Sequence, residues 1–233
     1  MRNIAVILAG GSGTRIGNEL PKQFLQVAGK QIIEYSIDVF EHNRQIDEIC
    51  LVCKTEYVGY LEALVEKNHY KKVSKILSGG KERQDSSLAA INAYTDDDAI
   101  LLFHDAVRPL VSNRIINDCI EAMKHYNAVG VAVKTTDTIV SADDNECIHF
   151  IHNRAQLRNM QTPQCFKLNT IRRAYELALT DPDFVATDDC GIVKRYMPDE
   201  PILLINGDYS NIKITYPEDL QRMELLIHHN NIE

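Results

Sequence analysis

The stretch Leu8–Phe24 reads LAGGSGTRIGNELPKQF and directly follows the short apolar run Ile4–Leu8. It holds glycines at positions 10, 11, 13 and 17 and two cations, Arg15 and Lys22. Because glycine has no Cβ and tolerates positive φ, such a loop lets backbone N–H groups approach an anion closely. The stretch therefore predicts a strand that ends in a phosphate-binding loop with its charge-stabilising side chains built in.

Two well-known glycine-rich patterns do not fit this loop. The dinucleotide pattern G-x-G-x-x-G, started at Gly11 and Gly13, meets Ile16 where its third glycine belongs. The P-loop pattern, started at Gly10, meets Arg15 where its G-K-[ST] element should begin. A tight turn without a ligand is the alternative for the glycines alone, but it accounts poorly for the segment PKQF at 21–24.

Apolar runs and helical periods alternate along the first half of the chain. They predict strands at 4–8, 47–54, 73–77, 99–103 and 128–133, with helices at 31–43, 56–68, 84–94 and 115–126 between them. This rhythm predicts a mainly parallel sheet with right-handed crossovers, within a single domain spanning residues 1–233. Ligands bind beyond the carboxyl ends of such strands. The loops LAGGSGTR, SGGKERQDS and HDAVRP should therefore meet at one crevice.

The segment 135–166 breaks the rhythm, with β-like ends, an acidic turn and no helical period. It is long for a loop in a compact domain, so we expect a protruding β arm or lid. Such arms often exchange between subunits, which predicts a homodimer. Beyond it, the pattern predicts helices at 169–179 and 188–196, strands at 202–206 and 211–215, and a last helix that starts at Pro217.

Composition narrows the class of partner. The chain has 233 residues with 45% hydrophobic and 25% charged residues, and its net charge is −8. This charge disfavours nucleic acid and anionic membranes as partners, so local cations must overcome it if the ligand is a phosphate. No apolar run approaches a membrane span or a signal peptide, so the default location is cytoplasmic. The six cysteines show no disulfide spacing, and Cys50 and Cys53 should point to opposite faces of a strand.

The motifs taken together carry a family resemblance. LAGGSGTR followed by PK resembles the nucleotidyltransferases of Rossmann-like, glycosyltransferase-A-like fold, a three-layer α/β architecture. The extension PKQFL narrows this to the cytidylyltransferases of small polyol phosphates, which act on methylerythritol phosphate or ribitol 5-phosphate. The match continues in family order to the end of the chain, through SGGKERQDS (78–86), HDAVRP (104–109), TDTIV (136–140), QTPQ (161–164), TDD (187–189), NIKIT (211–215) and PEDL (217–220).

The resemblance implies attack by a polyol phosphate oxygen on the α-phosphorus of CTP, with release of pyrophosphate. Arg15, Lys22 and Lys213 would then be catalytic, with Arg15 and Lys22 stabilising the pentacoordinate centre. It implies these nucleotide-binding residues: Leu8, Ala9, Gly10, Gly11, Gly80, Lys81, Ser86, Asp105 and Ala106. It implies these acceptor-binding residues: Arg108, Thr138, Arg154, Thr162 and Thr187. Arg108 and Arg154 would reach across from the second subunit.

Magnesium is implied by the triphosphate, and Asp105 is the candidate ligand, although the sequence shows no metal-ligand cluster. A buried Asp105 that caps the turn before Pro109 is the competing interpretation. Arg83 could pair with Asp85, and His104 is expected to be structural.

The acceptor is predicted with a preference for ribitol 5-phosphate. Val107 stands where many methylerythritol enzymes have a second alanine, and the region IINDCIEAMKHYNAV (115–129) looks closer to the ribitol type. Methylerythritol phosphate is the alternative. Two other classes stay open: a nicotinamide-dependent reductase, which the broken dinucleotide pattern disfavours, and a catalytically silent nucleotide-binding protein, which the intact Arg15 and Lys22 disfavour.

Overall fold

A computed structural model describes residues 1–11, 20–96 and 98–230, with side chains to residue 228. Its main sheet has seven strands: β1 (Arg2–Ala9), β4 (Glu48–Cys53), β5 (Val73–Ser78), β6 (Ala99–Asp105), β7 (Ala128–Lys134), β10 (Arg158–Lys167) and β11 (Ile202–Asn206). Their order in the sheet is β11-β7-β10-β6-β1-β4-β5. Only β10 runs antiparallel to its neighbours.

Helices cover both faces of this sheet, because its central strands are apolar on both sides. Along β1, Ala5 and Ile7 belong to one buried cluster, whereas Ile4 and Val6 belong to the other. The first cluster packs under α1 (Ile32–His42), α2 (Val58–Asn68) and α4 (Asn113–Ala122). The second packs under α3 (Arg83–Asn92), α5 (Leu168–Ala178) and α6 (Asp189–Tyr196). The three-layer α/β fold expected from the sequence is confirmed.

Smaller features complete the architecture. A short antiparallel pair, β2 (Gln26–Val27) and β3 (Lys30–Gln31), follows the glycine loop. Cys50 and Cys53 lie in opposite apolar clusters, as their spacing predicts, and all six cysteines are free thiols. Among the helices that the structure describes, none has the length and apolar character to cross a membrane.

The arm is shorter than predicted. Its hairpin consists of β8 (Val140–Ala142) and β9 (Ile148–Ile151), and the excursion ends at residue 157. Residues 158–166, assigned to the arm from the sequence, instead form most of β10 in the middle of the sheet. Proline is disfavoured in a central strand because it has no N–H to donate, and this strand contains Pro163. The structure accommodates it at an irregularity between Gln161 and Gln164, where the Thr162–Pro163 peptide bond is cis.

The predicted strand at 211–215 is also wrong, because this segment pairs with no strand of the described sheets. It is an irregular connection held by hydrogen bonds to the turn after β6 and to β10. The Ile214 N–H donates to the Val107 carbonyl at 2.8 Å, and the Asn211 amide donates to the Thr162 carbonyl at 2.9 Å. The last helix, α7 (Pro217–Asn230), starts where predicted. The segment therefore carries Lys213 to the carboxyl end of β6.

Candidate active site

A crevice of about 420 Å³ lies at the carboxyl ends of the parallel strands. The loops after β1, β5 and β6 all contribute to it, so their predicted convergence is confirmed. It is lined by Leu8, Ala9, Gly10, Gly11, Lys22, Gln23, Lys54, Lys81, Glu82, Arg83, Ser86, Asp105, Val107 and Lys213. Five of these residues are cations. This local positive charge is the one that a phosphate ligand requires in a chain of net charge −8.

The start of the glycine loop is shaped by hydrogen bonds to its carbonyl groups. The Ala106 N–H donates to the Leu8 carbonyl at 3.0 Å. The Gln23 side-chain amide donates to the carbonyls of Ala9 at 2.6 Å and Gly11 at 3.1 Å. Gln23, which sequence reasoning passed over within PKQF, therefore holds the described part of the loop. Arg15 falls within residues 12–19, outside the part of the chain that the structure describes.

The second loop requires glycine for space. A Cβ on Gly80 would lie 2.2 Å from the Cβ of Asp85, a clash that real side chains do not show. This tight turn delivers Lys81 and the start of α3, where Ser86 is 2% exposed. Asp85 accepts from the Glu82 N–H at 2.9 Å as part of the helix cap. The pairing of Arg83 with Asp85 is therefore wrong, and Arg83 is directed elsewhere.

Asp105 gathers cations from three separate segments. Its Oδ2 lies 2.8 Å from Lys213 Nζ and 4.0 Å from Arg108 Nε, and its Oδ1 lies 3.3 Å from Arg83 Nε. Burial alone would raise the pKa of this carboxyl. The charges of Arg83, Lys213 and Arg108 outweigh burial and hold the pKa well below its usual range. Asp105 is therefore ionised at neutral pH.

These contacts do not suit Asp105 as a magnesium ligand. Both of its oxygens already accept from cationic side chains, and a divalent ion there would meet Lys213 within hydrogen-bond distance of the same atom. Within residues 1–11, 20–96 and 98–230, no three carboxylate, histidine or cysteine side chains cluster to hold a metal. The described residues do not fit a protein-held magnesium ion.

The backbone of Asp105 is held by a hydrogen-bond chain from inside the sheet. Its N–H donates to Thr162 Oγ1 at 3.1 Å, and this hydroxyl lies 3.0 Å from His104 Nδ1. The second ring nitrogen, His104 Nε2, lies 3.0 Å from the Arg108 carbonyl and donates to it. Burial lowers the pKa of His104 to about 4, so the ring is neutral. Thr162, predicted to touch the acceptor, is 4% exposed and has its hydroxyl committed to this chain.

Lys22 and Lys213 meet at the 211–215 segment. Lys22 is only 8% exposed, and its ammonium donates to the Ile214 carbonyl at 2.8 Å. Lys213 occupies the neighbouring position along the chain and bonds Asp105. Two residues separated by 191 positions in the sequence are therefore brought to the same wall of the crevice. Lys54, which carried no sequence signal, adds a further cation after β4.

All five predicted acceptor residues, Thr162 included, lie outside the crevice lining of the described chain. Arg108 donates to the carbonyls of Asn211 at 2.8 Å and Met160 at 3.3 Å. Thr138 and Arg154 are exposed on the arm, and Arg154 donates to the Thr136 carbonyl at 2.9 Å. A second cleft at the base of the arm is lined by Lys134, Thr135, Asn153, Arg154, Ala155 and Arg158. Thr187 is exposed just before α6.

The fold and the site together define a class of protein. A mainly parallel α/β sheet whose strand ends present a glycine-shaped loop, a buried carboxylate and five cations is suited to bind the phosphates of a nucleotide. The comparison with known families makes this specific. The family model for IspD, 2-C-methyl-D-erythritol 4-phosphate cytidylyltransferase, matches residues 3–229, and the chain belongs to this family.

The relatives of this chain are named for two different activities. The chain is 45% identical over 232 residues to a 2-C-methyl-D-erythritol 4-phosphate cytidylyltransferase of Thermobifida fusca, covering 97% of this chain and 93% of that protein. It is 43% identical over 222 residues to the bifunctional ribulose 5-phosphate reductase/CDP-ribitol pyrophosphorylase Bcs1 of Haemophilus influenzae, covering 94% of this chain and 47% of that protein.

Solved structures share the whole fold. A 4-diphosphocytidyl-2C-methyl-D-erythritol synthase of Anaerococcus prevotii superposes with a TM-score of 0.86 at 31% identity, covering 97% of this chain and 96% of that one. The 2-C-methyl-D-erythritol 4-phosphate cytidylyltransferase of Thermus thermophilus gives 0.76 at 26% identity, covering 97% and 98%.

Proposed function

We propose that the protein transfers CMP from CTP to 2-C-methyl-D-erythritol 4-phosphate and releases pyrophosphate. The observation that carries the proposal is the crevice itself, where Lys22, Lys213 and Lys81 surround a glycine-shaped loop in a chain that belongs to a cytidylyltransferase family. An acceptor phosphate oxygen forms the new bond to the α-phosphorus, and the bond to the leaving pyrophosphate breaks. Both reactants are polyanions, so catalysis consists of positioning and charge neutralisation.

The donor half of the reaction is assigned to the three loops. Gly10 and Gly11 line the crevice, where their backbone N–H groups would bind triphosphate oxygens. The segment with Gly80, Lys81 and Ser86 would read the cytosine edge, and the turn of Asp105 and Ala106 would bind the ribose. Arg15 and Lys22 would stabilise the transition state.

The cations of the crevice are held by protein groups that a ligand can replace. Lys22 rests on the Ile214 carbonyl, and Lys213 rests on the Asp105 carboxylate. A carbonyl is a weaker partner for an ammonium than a phosphate oxygen, because only the phosphate carries a charge. We therefore expect Lys22 to exchange the Ile214 carbonyl for the triphosphate when CTP binds. Lys213 would keep one bond to Asp105 while it reaches the acceptor.

The acceptor half is assigned to Lys213, Thr187 and Arg108, with Thr138 and Arg154 supplied by the arm of a second copy. Arg108, expected from the second copy, instead bonds Asn211 and Met160 of its own chain. The arm supports this arrangement in two ways. Thr138 and Arg154 lie outside the crevice of their own chain. The arm also exposes large apolar side chains, with Ile148 65%, Phe150 55% and Ile151 59% exposed. A homodimer that covers these side chains is part of the proposal.

The choice of acceptor reverses the preference that the sequence suggested. Ribitol 5-phosphate remains the second candidate, because a relative at 43% identity is named a CDP-ribitol pyrophosphorylase and Val107 lines the crevice. The family model and the relatives in Thermobifida fusca and Bifidobacterium longum carry the methylerythritol name. These matches support methylerythritol phosphate as the first candidate.

The experiment is a pyrophosphate-release assay with CTP, magnesium chloride and each acceptor in turn. We expect kcat/KM to be highest with 2-C-methyl-D-erythritol 4-phosphate, and release to depend on both CTP and acceptor. Higher kcat/KM with ribitol 5-phosphate would replace the first candidate by the second. No release with either acceptor, together with oxidation of NADPH by the protein, would overturn the assignment to cytidylyl transfer.

A further inference from the structure

Arg83 bridges two carboxylates that come from distant parts of the chain. Its Nε lies 3.3 Å from Asp105 Oδ1 in the crevice, and its Nη1 lies 2.6 Å from Asp189 Oδ2 at the first residue of α6. The remaining nitrogen, Nη2, is buried without a hydrogen-bond partner in the described part of the chain. The two carboxylates therefore determine how the guanidinium is oriented.

The second carboxylate oxygen of Asp189 is also hydrogen-bonded. Asp189 is fully buried, and its Oδ1 accepts a hydrogen bond from the Tyr175 hydroxyl at 2.7 Å. The start of α6 is tied to β10 as well, because Gln164 accepts from the Cys190 N–H at 3.0 Å and donates to Asp188 at 2.8 Å. A carboxylate with no access to water needs its cation, so Arg83 cannot leave Asp189 without strong destabilisation.

The bridge joins the two halves of the site. Asp105 stands in the turn assigned to the nucleotide, whereas Asp189 lies two residues after Thr187, which is assigned to the acceptor. Burial would lower the pKa of Arg83, but the carboxylates of Asp189 and Asp105 raise it above its ordinary value. Arg83 is therefore charged at neutral pH.

We propose that Arg83 is a positioning residue that, anchored by Asp189 and Tyr175, orients the Asp105 carboxylate and couples the nucleotide loops to the start of α6. The proposal rests on the proposed function for the identity of the two substrates. It assigns to Asp189 an effect on kinetics even though its side chain is fully buried and does not line the crevice.

The test replaces the anchor and leaves the crevice lining unchanged. Asp189→Asn removes the charge that holds Arg83, and Tyr175→Phe removes the hydroxyl that donates to Asp189. The chain offers a matched control, because Asp181 also bonds an arginine and a tyrosine, Arg195 at 2.8 Å and Tyr196 at 2.6 Å, outside the crevice. Asp181→Asn therefore removes the same chemistry from a place without a proposed role.

Steady-state kinetics and CTP titration calorimetry on folded variants give the result. We expect Asp189→Asn to raise KM for both CTP and acceptor, with kcat/KM lower by on the order of tenfold or more, because a small misplacement of reacting groups is costly. Tyr175→Phe should shift the same constants in the same direction by a smaller factor. Asp181→Asn should stay within about twofold of wild type, as for an exposed pair.

Several outcomes contradict the proposal. A folded Asp189→Asn protein with both KM values and CTP affinity unchanged would overturn it, as would a rise in KM for one substrate alone. If Asp189→Asn does not fold, Tyr175→Phe and Arg83→Lys decide the question in the same way, since lysine keeps the charge but cannot hold both carboxylates. A wild-type protein that binds no CTP overturns the proposed function first, and this inference with it.

Discussion

The contacts of Asp105 lead to a prediction about stability. Asp105→Asn keeps the shape of the side chain but removes the negative charge that lies within 4.0 Å of Lys213, Arg83 and Arg108. The asparagine amide nitrogen would point a donor at one of these donors. We therefore expect the variant to be less stable than wild type.

The magnitude follows from the distances. At an effective dielectric of about 20, two unit charges about 3 Å apart attract by roughly 5 kcal/mol. The pair with Lys213 is worth less than this, because the Lys213 side chain is 42% exposed and can turn toward water. Arg83 keeps Asp189 as a partner. We expect the free energy of unfolding to fall by about 3 kcal/mol, near the low end for breaking a buried pair.

Urea denaturation followed by circular dichroism measures this change, since the chain has no tryptophan for fluorescence. The matched control is Asp118→Asn, which breaks an exposed pair with Arg114 at 3.0 Å and should cost less than about 1 kcal/mol. Saturating pyrophosphate should stabilise Asp105→Asn more than wild type, because the cations have lost their carboxylate. Equal losses in the two variants, or a neutral Asp105→Asn, would refute the reasoning.

Three further predictions concern catalysis, backbone space and pH. Lys22→Ala should lower kcat by roughly 10²- to 10³-fold, as loss of a preorganised charge contact does, and near-normal turnover in a stopped assay would exclude a catalytic role. Gly80→Ala should weaken CTP binding in calorimetry because its Cβ would lie 2.2 Å from Asp85, whereas Gly59→Ala, with open space around it, should bind CTP like wild type. His104 has a pKa lowered to about 4 in the folded state against 6.5 unfolded, so its contribution to stability is complete above pH 6.5 and is lost as the pH falls toward 4. Relative to His104→Gln, wild type should lose about 3 kcal/mol over that range in urea titrations, and parallel curves for the two proteins would contradict the assignment of a neutral ring.

Much of the fold could be predicted because its central strands are apolar throughout and its helices have clear periods. The missed strand β10 shows the limit. Proline at 163 and polar residues such as Gln161 and Gln164 are unusual in the middle of a sheet. Their polar groups are satisfied by partners distant in sequence, including Asp188 and the Cys190 N–H. No local sequence pattern predicts such contacts, so residues 158–166 were assigned to the arm.

The candidate site, like the fold, could be predicted from the sequence only in part. Motifs at the ends of strands predicted the crevice, because the topology of a parallel sheet brings those ends together. The partners of Arg83 could not be predicted, since Asp85 is close in sequence but is used by the helix cap. Gln23 lies in the PKQF segment without an assigned role, and Lys54 lies in no motif; only the folded chain places both in the crevice lining.

If the proposed function is right, the residues of this crevice catalyse the transfer of CMP to a polyol phosphate. Phosphorus-31 NMR of the purified protein with CTP, magnesium chloride and 2-C-methyl-D-erythritol 4-phosphate tests it most directly. We predict a new pair of coupled diphosphate resonances that grows in step with free pyrophosphate, is absent without acceptor and grows far more slowly with Lys22→Ala. If the CTP and acceptor signals stay unchanged with 2-C-methyl-D-erythritol 4-phosphate and also with ribitol 5-phosphate, the protein is not a cytidylyltransferase of these polyol phosphates.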